Sequence, residues 1–541
     1  MRPLTDLDVL IVDCQATMAA PRGQLLEIGW ARAGGTPAVA RARLIRLPEG
    51  VRIQPAVARI TGISEAMCRD GAEPEEAVRE LLDEAAGLEQ QPAPAVAHFA
   101  RFEQQLLRTI SPDAPLDFVC THAIARRLLP DLPRCSLRAL AGYFGSGVGT
   151  LRRSAEHVTA TAFVWRELVR LLEQHGVRTW EALHAWLAAS PHPGRRRRVW
   201  PMPRELRLTL PDAPGVYRLL RSNGDVLYVG KAASLRARVN SHFRKQAGVS
   251  ERALEMLSQA RGLSHECLPT ALEAALFEAD EIKRHRPPYN IALAEGRSIW
   301  FASRDLTCRN ARPSRECAVG PFAGTFTLDR FASLLEARRT ALGGPGLAPD
   351  ADVFDAGYAR FLEVHPELAR TNLAPHARLL RLGTRLWRDG RRDEDAEADT
   401  SDGEDDLQQA WTPEQVQFAL ERIAIGAALV CRRARWITRL AESAITWCEP
   451  GSPAVHLLVI AGGKIAHRET LDTWTPPPVP PGYARPAAAR HEAFTLATFD
   501  RLRVLTTELK RLAAAGAPVA VRLGPARPLT GRRLASVLGW L

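Results

Sequence analysis

One short turn constrains the fold of this chain more than any other feature of its 541 residues. Two β-prone segments, VYRLLR and DVLYVG, flank an Asn-Gly pair at 223–224. This pair most favours a two-residue type I′ hairpin, because both residues accept the positive φ that the turn requires. The sequence therefore predicts an antiparallel ribbon in which Ser222 pairs with Asp225.

The turn also predicts which side chains share a face of the ribbon. Counting back from the turn puts Leu219 opposite Tyr228. Side chains alternate between the two faces of a strand, so Tyr217 lies on the same face as Leu219 and diagonal to Tyr228. The sequence predicts two phenol groups on one side of the ribbon.

A helix is predicted directly after the ribbon. Ser234 is a candidate N-cap, because its hydroxyl can accept a hydrogen bond from a backbone N–H of the first turn. Arg238 and His242 stand four residues apart on this helix and therefore share a face. The pattern places a guanidinium and an imidazole side by side.

A second helix is predicted to begin at a capping box formed by Thr270 and Glu273, and to end before the two prolines at 287–288. Its apolar residues follow the helical period and must face a core. They are Leu272, Ala275, Leu276, Ala279 and Ile282. Glu278 lies at the border of this stripe, where a carboxylate can reach a metal ion.

In this order and spacing, these residues resemble the GIY-YIG nuclease domain, most closely the one at the N-terminus of the bacterial excinuclease. The segments that carry the resemblance are GVY at 215–217, YVGK at 228–231 and YN at 289–290. The resemblance implies a small α/β domain that hydrolyses phosphodiester bonds with one divalent ion, Mg²⁺ or Mn²⁺. The catalytic residues that it implies are Tyr217, Tyr228, Lys231, Arg238, His242, Glu278 and Asn290.

The resemblance also implies a role for the main groups. Glu278 holds the metal ion and Arg238 meets the scissile phosphate. A tyrosine, Tyr217 or Tyr228, acts as general base or relay for a water nucleophile, which requires that Lys231 and the metal ion lower its pKa. Phosphodiester hydrolysis needs charge neutralisation and a proton acceptor, so the chemistry agrees. Taken singly, each residue also fits a structural role, such as cross-strand packing or a solvated surface group.

The N-terminal region alternates short strands with helices, as in DVLIVD, LLEIGWARA, PAVAHFA and HVTATAFVWRELVRLLEQ. This rhythm predicts an α/β domain. Three segments, LIVDCQAT, VAHFARFEQQLL and RRSAEHVTATAFVWREL, resemble the motifs of the DEDD proofreading exonucleases over nearly all of residues 7–174. The resemblance implies a ribonuclease-H-like fold, in which several carboxylates hold two divalent ions.

The metal-binding positions of this region depart from the family pattern. Asp13 is present, but Gln15 replaces the second acid and Glu103 the third. His157 takes the position of the last acid and Arg152 that of the general base. If His157 is instead read as the base, an alanine falls at the acid position, so either alignment lacks the last carboxylate. We predict a degenerate active site, whose candidate vestigial ligands are Asp13, Gln15, Glu103 and His157.

Composition divides the chain into domains. The stretch SPHPGRRRRVWPMPRE favours neither helix nor strand and predicts a linker. An acidic run at 388–406 has no apolar face to bury and predicts a disordered loop. The predicted organisation is an exonuclease-like domain (1–176), a linker (177–205), a GIY-YIG endonuclease domain (206–294), a post-nuclease segment (295–344) and a C-terminal α/β accessory domain (345–541).

The overall charge and the cysteines narrow the protein class. A formal charge of +11 and a pI near 9.5 suit a polyanionic partner such as nucleic acid, although the excess of Arg over Lys also fits GC-rich coding. Nine cysteines without a CxxC pair argue against a disulfide framework or a zinc site. With no apolar run of about 18 residues, we expect no membrane span and a cytoplasmic, nucleoid-associated bacterial protein.

The sequence thus predicts a DNA-repair endonuclease that nicks one strand of damaged, branched or single-strand-containing DNA, with other repair proteins as candidate partners. The N-terminal domain then serves as a DNA-binding or docking platform. Two alternatives remain open. One is a dual nuclease with an active 3′–5′ exonuclease, and the other is a non-catalytic DNA-binding adaptor. A restriction or mobile-element nuclease is disfavoured, because no base-reading module is recognisable.

Overall fold

The computed structural model describes residues 2–18, 23–34, 39–147, 149, 151–189, 199–244, 249–290, 298–343, 348–369, 372–390, 411–481 and 494–541. The chain folds into two compact units. The first comprises Met1–Leu268 and Pro287–Ile291, and the second comprises Pro269–Arg286 and Ala292–Leu541. The boundary therefore falls inside the predicted nuclease domain. In the described part of the chain, no helix has the length and apolar character needed to cross a membrane.

A five-stranded mixed sheet forms the centre of the N-terminal region. Its strands are β1 (Leu10–Ala16), β2 (Leu25–Arg32), β3 (Arg41–Leu44), β4 (Ala93–Ala97) and β5 (Leu116–Cys120). The order is β3–β2–β1–β4–β5, antiparallel from β3 to β1 and parallel from β1 to β5. The apolar runs of β1, β2 and β4 are buried, as expected for strands covered on both faces. The predicted α/β fold is confirmed.

Helices cover this sheet. They are α1 (Pro55–Thr61), α2 (Glu65–Cys68), α3 (Pro74–Ala86), α4 (Ala100–Ile110), α5 (Thr121–Leu128), α6 (Leu137–Tyr143), α7 (Ser154–Gln174) and α8 (Trp180–Ala189). The linker predicted from residue 177 is wrong at its start, because Val177, Trp180 and Leu183 are buried in the same core as α7. Residues 190–198, with the four arginines, lie outside the described residues.

The nuclease ribbon consists of β6 (Gly215–Leu220) and β7 (Val226–Ala232), and β8 (Gly262–Cys267) pairs with the other edge of β6. The predicted two-residue turn is wrong. Arg221 N–H donates to Asp225 O at 2.9 Å, which leaves a three-residue loop in which Gly224 has φ +89°. The Asn223 side chain accepts a hydrogen bond from Asp225 N–H at 3.0 Å and so stabilises this longer loop.

The predicted register of the ribbon is nevertheless correct. A register shift after Leu219 absorbs the extra loop residue, so Leu219 lies opposite Tyr228 and Tyr217 lies opposite Gly230. Three helices surround the ribbon: α9 (Arg204–Leu208), α10 (Leu235–His242) and α11 (Glu251–Gln259). Ser234 caps α10 as predicted, because its Oγ accepts a hydrogen bond from Ala237 N–H at 3.2 Å.

The second unit begins with α12 (Ala271–His285), which ends before the prolines as predicted. Thr270 caps it by accepting from Glu273 N–H at 3.1 Å. The reciprocal half of the predicted capping box is absent from the described contacts, and the Glu273 carboxylate instead lies 3.6 Å from Arg468. All five apolar positions of α12 are buried, and Leu272 and Leu276 belong to the core of the C-terminal sheet.

A small sheet and a helical layer follow. The strands are β9 (Trp300–Ala302), β10 (Arg309–Asn310) and β11 (Val319–Phe322), in the order β10–β9–β11. The helices are α13 (Phe326–Leu335), α14 (Ala351–Val364), α15 (Pro375–Arg388) and α16 (Pro413–Leu440). This helical layer was not predicted. The acidic run predicted as a loop lies, from residue 391 onward, outside the described residues.

The C-terminal part contains an antiparallel sheet of order β14–β13–β12–β15–β16. Its strands are β12 (Ser443–Cys448), β13 (Val455–Ala461), β14 (Lys464–Leu471), β15 (Val519–Arg522) and β16 (Leu529–Thr530), with helices α17 (Leu496–Ala514) and α18 (Gly531–Leu538). The predicted hairpin at Gly462 and Gly463 is present, and both have positive φ. All nine cysteines are free, as predicted.

Candidate nuclease site

Two tyrosines and a histidine form the centre of the candidate site. Tyr217 on β6 is fully buried, and its hydroxyl lies 2.6 Å from Nε2 of His242 at the end of α10. The Tyr228 ring on β7 is 6.1 Å from the Tyr217 ring and 5.9 Å from the His242 ring, measured between centroids. The ribbon and the helix thus bring together three groups that can donate, accept or relay a proton.

Gly230 makes this clustering possible. It lies opposite Tyr217 on β7, and a Cβ atom at this position would be 2.5 Å from Tyr217 Oη and 2.7 Å from Tyr228 Cε1. Both distances are far below van der Waals contact. The glycine of the YVG segment is therefore required by the tyrosine rings that pack over its backbone.

The His242 ring is held in its neutral form. Burial lowers its pKa to about 4, and the nearby positive charge of Arg238 contributes to the same shift. At neutral pH its Nε2 can therefore accept the hydrogen bond of the Tyr217 hydroxyl, or donate to it in the other tautomer. The pair carries no net charge and can pass a proton in either direction.

The other predicted residues of the first unit fall into two groups. Lys231 follows Gly230 on β7, and Arg238 is exposed on α10 beside His242. Asn290 does not present its amide to the tyrosines. It accepts from Val229 N–H at 3.0 Å and donates to Val229 O at 2.8 Å, so it fixes the backbone of β7. The prediction of a catalytic role for Asn290 gives way to one in positioning.

Glu278 lies on α12 and therefore in the second unit. Its side chain is half-buried, next to the buried Ala279. Mg²⁺ keeps several water ligands and commonly binds proteins through one or two carboxylates. A half-buried carboxylate on a rigid helix fits such a hydrated ion, and the described residues contain no cluster of three or more acids, histidines or cysteines that would suit a fully ligated metal.

The exonuclease-like region has a different constellation. The Asp13 carboxylate at the centre of β1 is engaged on both oxygens. Gln15 Nε2 donates to Oδ2 at 3.1 Å, and His157 Nδ1 lies 3.1 Å from Oδ1. Burial opposes a charged His157 ring, but the hydrogen bond and charge of Asp13 outweigh it and raise the pKa of His157. A protonatable side chain thus occupies the position where the family has a further carboxylate.

Glu103 reinforces this difference. It is buried on α4, and burial together with the charge of Asp13 raises the pKa of its carboxyl well above the usual range. A site with one paired carboxylate and one protonated acid cannot offset two divalent ions. The contact of His157 with Asp13 also decides the alignment, because Ala162 is buried in the apolar core. The described residues do not fit a two-metal exonuclease site.

Sequence reasoning missed the interface that joins the two nuclease-like regions within the first unit. Ser136 Oγ, at the start of α6, donates to Glu255 Oε2 on α11 at 2.7 Å, and Arg134 N–H donates to Ser258 Oγ at 2.9 Å. Tyr289 Oη donates to Glu255 Oε1 at 2.7 Å. Gly142 on α6 has no space for a Cβ atom, which would be 1.9 Å from the Gln259 side chain. The packing is tight and polar.

The comparisons with known families agree with the fold. Residues 10–151 match the family described as exonuclease, and residues 213–291 match the family described as a UvrC-like GIY-YIG domain. The chain therefore contains an exonuclease domain followed by a UvrC-like GIY-YIG domain, and the predicted resemblance and fold class are confirmed. The second of these domains matches the nuclease domain of a DNA-cleaving hydrolase.

Individual relatives show the same two parts. A putative bifunctional exonuclease/endonuclease protein of Mycobacterium tuberculosis is 31% identical over 359 residues, which are 63% of this chain and 53% of the relative. UvrABC system protein C of Sphingopyxis alaskensis is 39% identical over 135 residues, 24% of this chain and 21% of the relative. Exonuclease X, solved with 5′ overhanging duplex DNA, is 25% identical, with 33% of this chain and 99% of that chain covered and a TM-score of 0.27. The chain spans about half or less of the length of these two curated relatives.

Proposed function

We propose that this protein is a metal-dependent DNA endonuclease that nicks one strand by phosphodiester hydrolysis. The observation that carries the proposal is the hydrogen bond between Tyr217 and the neutral His242, with Tyr228 beside them. Cross-strand packing alone does not require a buried phenol hydroxyl to be paired with an imidazole. The match of residues 213–291 to the UvrC-like GIY-YIG family supports the same conclusion.

The proposed roles follow from the chemistry of each group. Glu278 holds one divalent ion, Mg²⁺ or Mn²⁺, which supplies charge neutralisation when bound. Arg238, exposed on α10, pairs with the scissile phosphate, because guanidinium binds phosphate oxygens in a bidentate manner. Tyr217 removes a proton from the attacking water and shares it with His242. Lys231 adds positive charge that favours the deprotonated phenol.

We further propose that the exonuclease-like region is a platform and has no exonuclease activity. Its carboxylates are too few and too engaged for two-metal chemistry, whereas its interface with α11 is well packed. The preferred substrate is DNA with damage, a branch or a single-stranded segment, handled with repair proteins at the bacterial nucleoid. The net charge of +11 supports a DNA partner.

The test is a product-resolved cleavage assay on end-labelled bubble, fork, duplex and single-stranded DNA with Mg²⁺ or Mn²⁺. We expect discrete internal nicks with a 5′-phosphate and a 3′-hydroxyl. Tyr217→Phe removes only the hydroxyl and should slow nicking about 100-fold, the usual contribution of a general base. Tyr143→Phe is the matched control, since Tyr143 packs its ring face against Arg261 in the same unit. Equal rates for both variants would contradict the proposed relay.

Asp13→Ala separates the platform from the dual nuclease. The substitution removes the carboxylate that any residual exonuclease would need, yet it lies outside the GIY-YIG region. We expect nicking within about twofold of wild type, and no ladder of 3′-end products from either protein. A 3′-end ladder made by wild type and lost in Asp13→Ala would show that the dual-nuclease alternative is correct. If wild type cleaves none of these substrates with either metal, the adaptor alternative replaces our proposal.

A further inference from the structure

A pocket of about 170 Å³ opens in the second unit, between α15, α16 and the segment just after α18. Two indole rings line it, those of Trp387 and Trp540, with centroids 6.1 Å apart. Both side chains are partly exposed. Leu380 and Leu429 add an aliphatic wall. None of the residues proposed above for catalysis belongs to this pocket.

The rim of the pocket is cationic. The Arg432 guanidinium lies 4.2 Å from the centroid of the Trp540 ring, and Arg435 also lines the pocket. Burial lowers the pKa of Arg432, and the positive charges of Arg388 and Arg435 lower it further. Among the ten described residues that line the pocket, none is acidic. Three guanidinium groups thus gather where nothing in the lining neutralises them.

This combination specifies the kind of ligand. Indole faces stack on nucleobases, and arginines pair with the phosphates that follow each base. The bases of a duplex are already stacked on their neighbours, so only an unstacked base can enter a pocket of this size. We propose that the pocket binds a nucleotide of single-stranded DNA, with the base against the two indoles and the phosphate at the arginines. This goes beyond the cleavage chemistry and does not depend on it.

The test uses the full-length protein and a single-stranded 20-mer of thymidines with one 5-iodo-deoxyuridine. Irradiation and mass spectrometry should locate the cross-link at Trp387 or Trp540. In fluorescence anisotropy with a labelled version, Trp540→Ala should weaken binding about tenfold, the usual effect of losing one stacking partner. Arg435→Glu, on an exposed side chain that leaves the apolar wall intact, should weaken binding to a similar extent and lower its salt dependence.

Trp474→Ala is the matched control, because Trp474 is an exposed tryptophan of the same unit. It should bind the 20-mer as wild type does, and all variants should bind a blunt duplex equally. Wild-type affinity in both pocket variants, or cross-links only outside the pocket, would overturn the proposal. The readout is independent of cleavage: Glu278→Gln should keep the cross-link whether or not it loses nicking, so failure of the pocket and failure of the nuclease proposal are distinguishable.

Discussion

Glu278→Gln is expected to lower the nicking rate by at least about 1000-fold. The amide has the size and shape of the carboxylate but no charge with which to hold a divalent ion. Metal catalysis contributes several kcal/mol to phosphoryl chemistry, and about 1.4 kcal/mol corresponds to a factor of ten in rate. The measurement is the initial rate of nicking of a labelled bubble substrate across a titration of Mg²⁺ and of Mn²⁺.

Two controls separate a metal ligand from a structural acid. Glu266→Gln changes an exposed carboxylate on β8 and should leave the rate within about twofold of wild type. Glu278→Gln should also unfold at the wild-type temperature, because a half-buried group at the edge of the α12 stripe contributes little to the core. A Glu278→Gln protein that nicks at the wild-type rate would remove Glu278 from the metal site.

The register of the ribbon could be predicted even though its turn was wrong. The turn depends on local detail, here the hydrogen bond from Asp225 N–H to the Asn223 side chain. The register depends on which face is buried, and a slip of one residue would have moved Tyr217 and Leu219 from the core to solvent. The chain therefore adds a residue to the loop and keeps the register. The burial of alternate side chains outweighs the preference of an Asn-Gly pair.

The α12 stripe shows the limit of periodicity as evidence. Its spacing predicted five buried residues correctly. It could not predict which core they enter, because the partners are distant in sequence. Leu276 belongs to the same core as Trp447 on β12, and Lys283 on α12 pairs with Asp500 on α17 at 2.8 Å. The helix that carries Glu278 is thus held by the C-terminal part of the chain, whose role the sequence did not indicate.

Contacts between residues far apart in sequence also decided the two candidate sites. The contact of Asp13 with His157 joins residues 144 positions apart. The alignment could place a histidine where an acid was expected, but only the fold shows that this histidine pairs with Asp13. Similarly, Tyr217 and His242 were predicted on a strand and a helix, and their hydrogen bond depends on how these two elements pack. Residue types were predictable from the sequence, whereas pairings were not.

Gly230→Ala is expected to reduce nicking by at least about 100-fold through the two tyrosines. Gly230 does not have a positive φ, so the backbone itself accepts alanine. The added methyl group would overlap Tyr217, whose ring is fully buried and whose hydroxyl is bonded to His242. Overpacking of this kind costs about 1–3 kcal/mol in stability, and a displacement of about 1 Å in a catalytic group costs about 100-fold in rate.

The comparison with Tyr217→Phe tells whether Gly230 acts through that hydroxyl. If it does, adding Gly230→Ala to Tyr217→Phe should lower the nicking rate by much less than it does in wild type, because both changes remove the same interaction. Gly324→Ala, at a position where a Cβ atom has nothing within 4 Å, should leave both rate and stability unchanged. Losses that multiply fully in the double variant would mean that Gly230 supports the site by another route, with the packing of Tyr228 as the remaining contact within its reach.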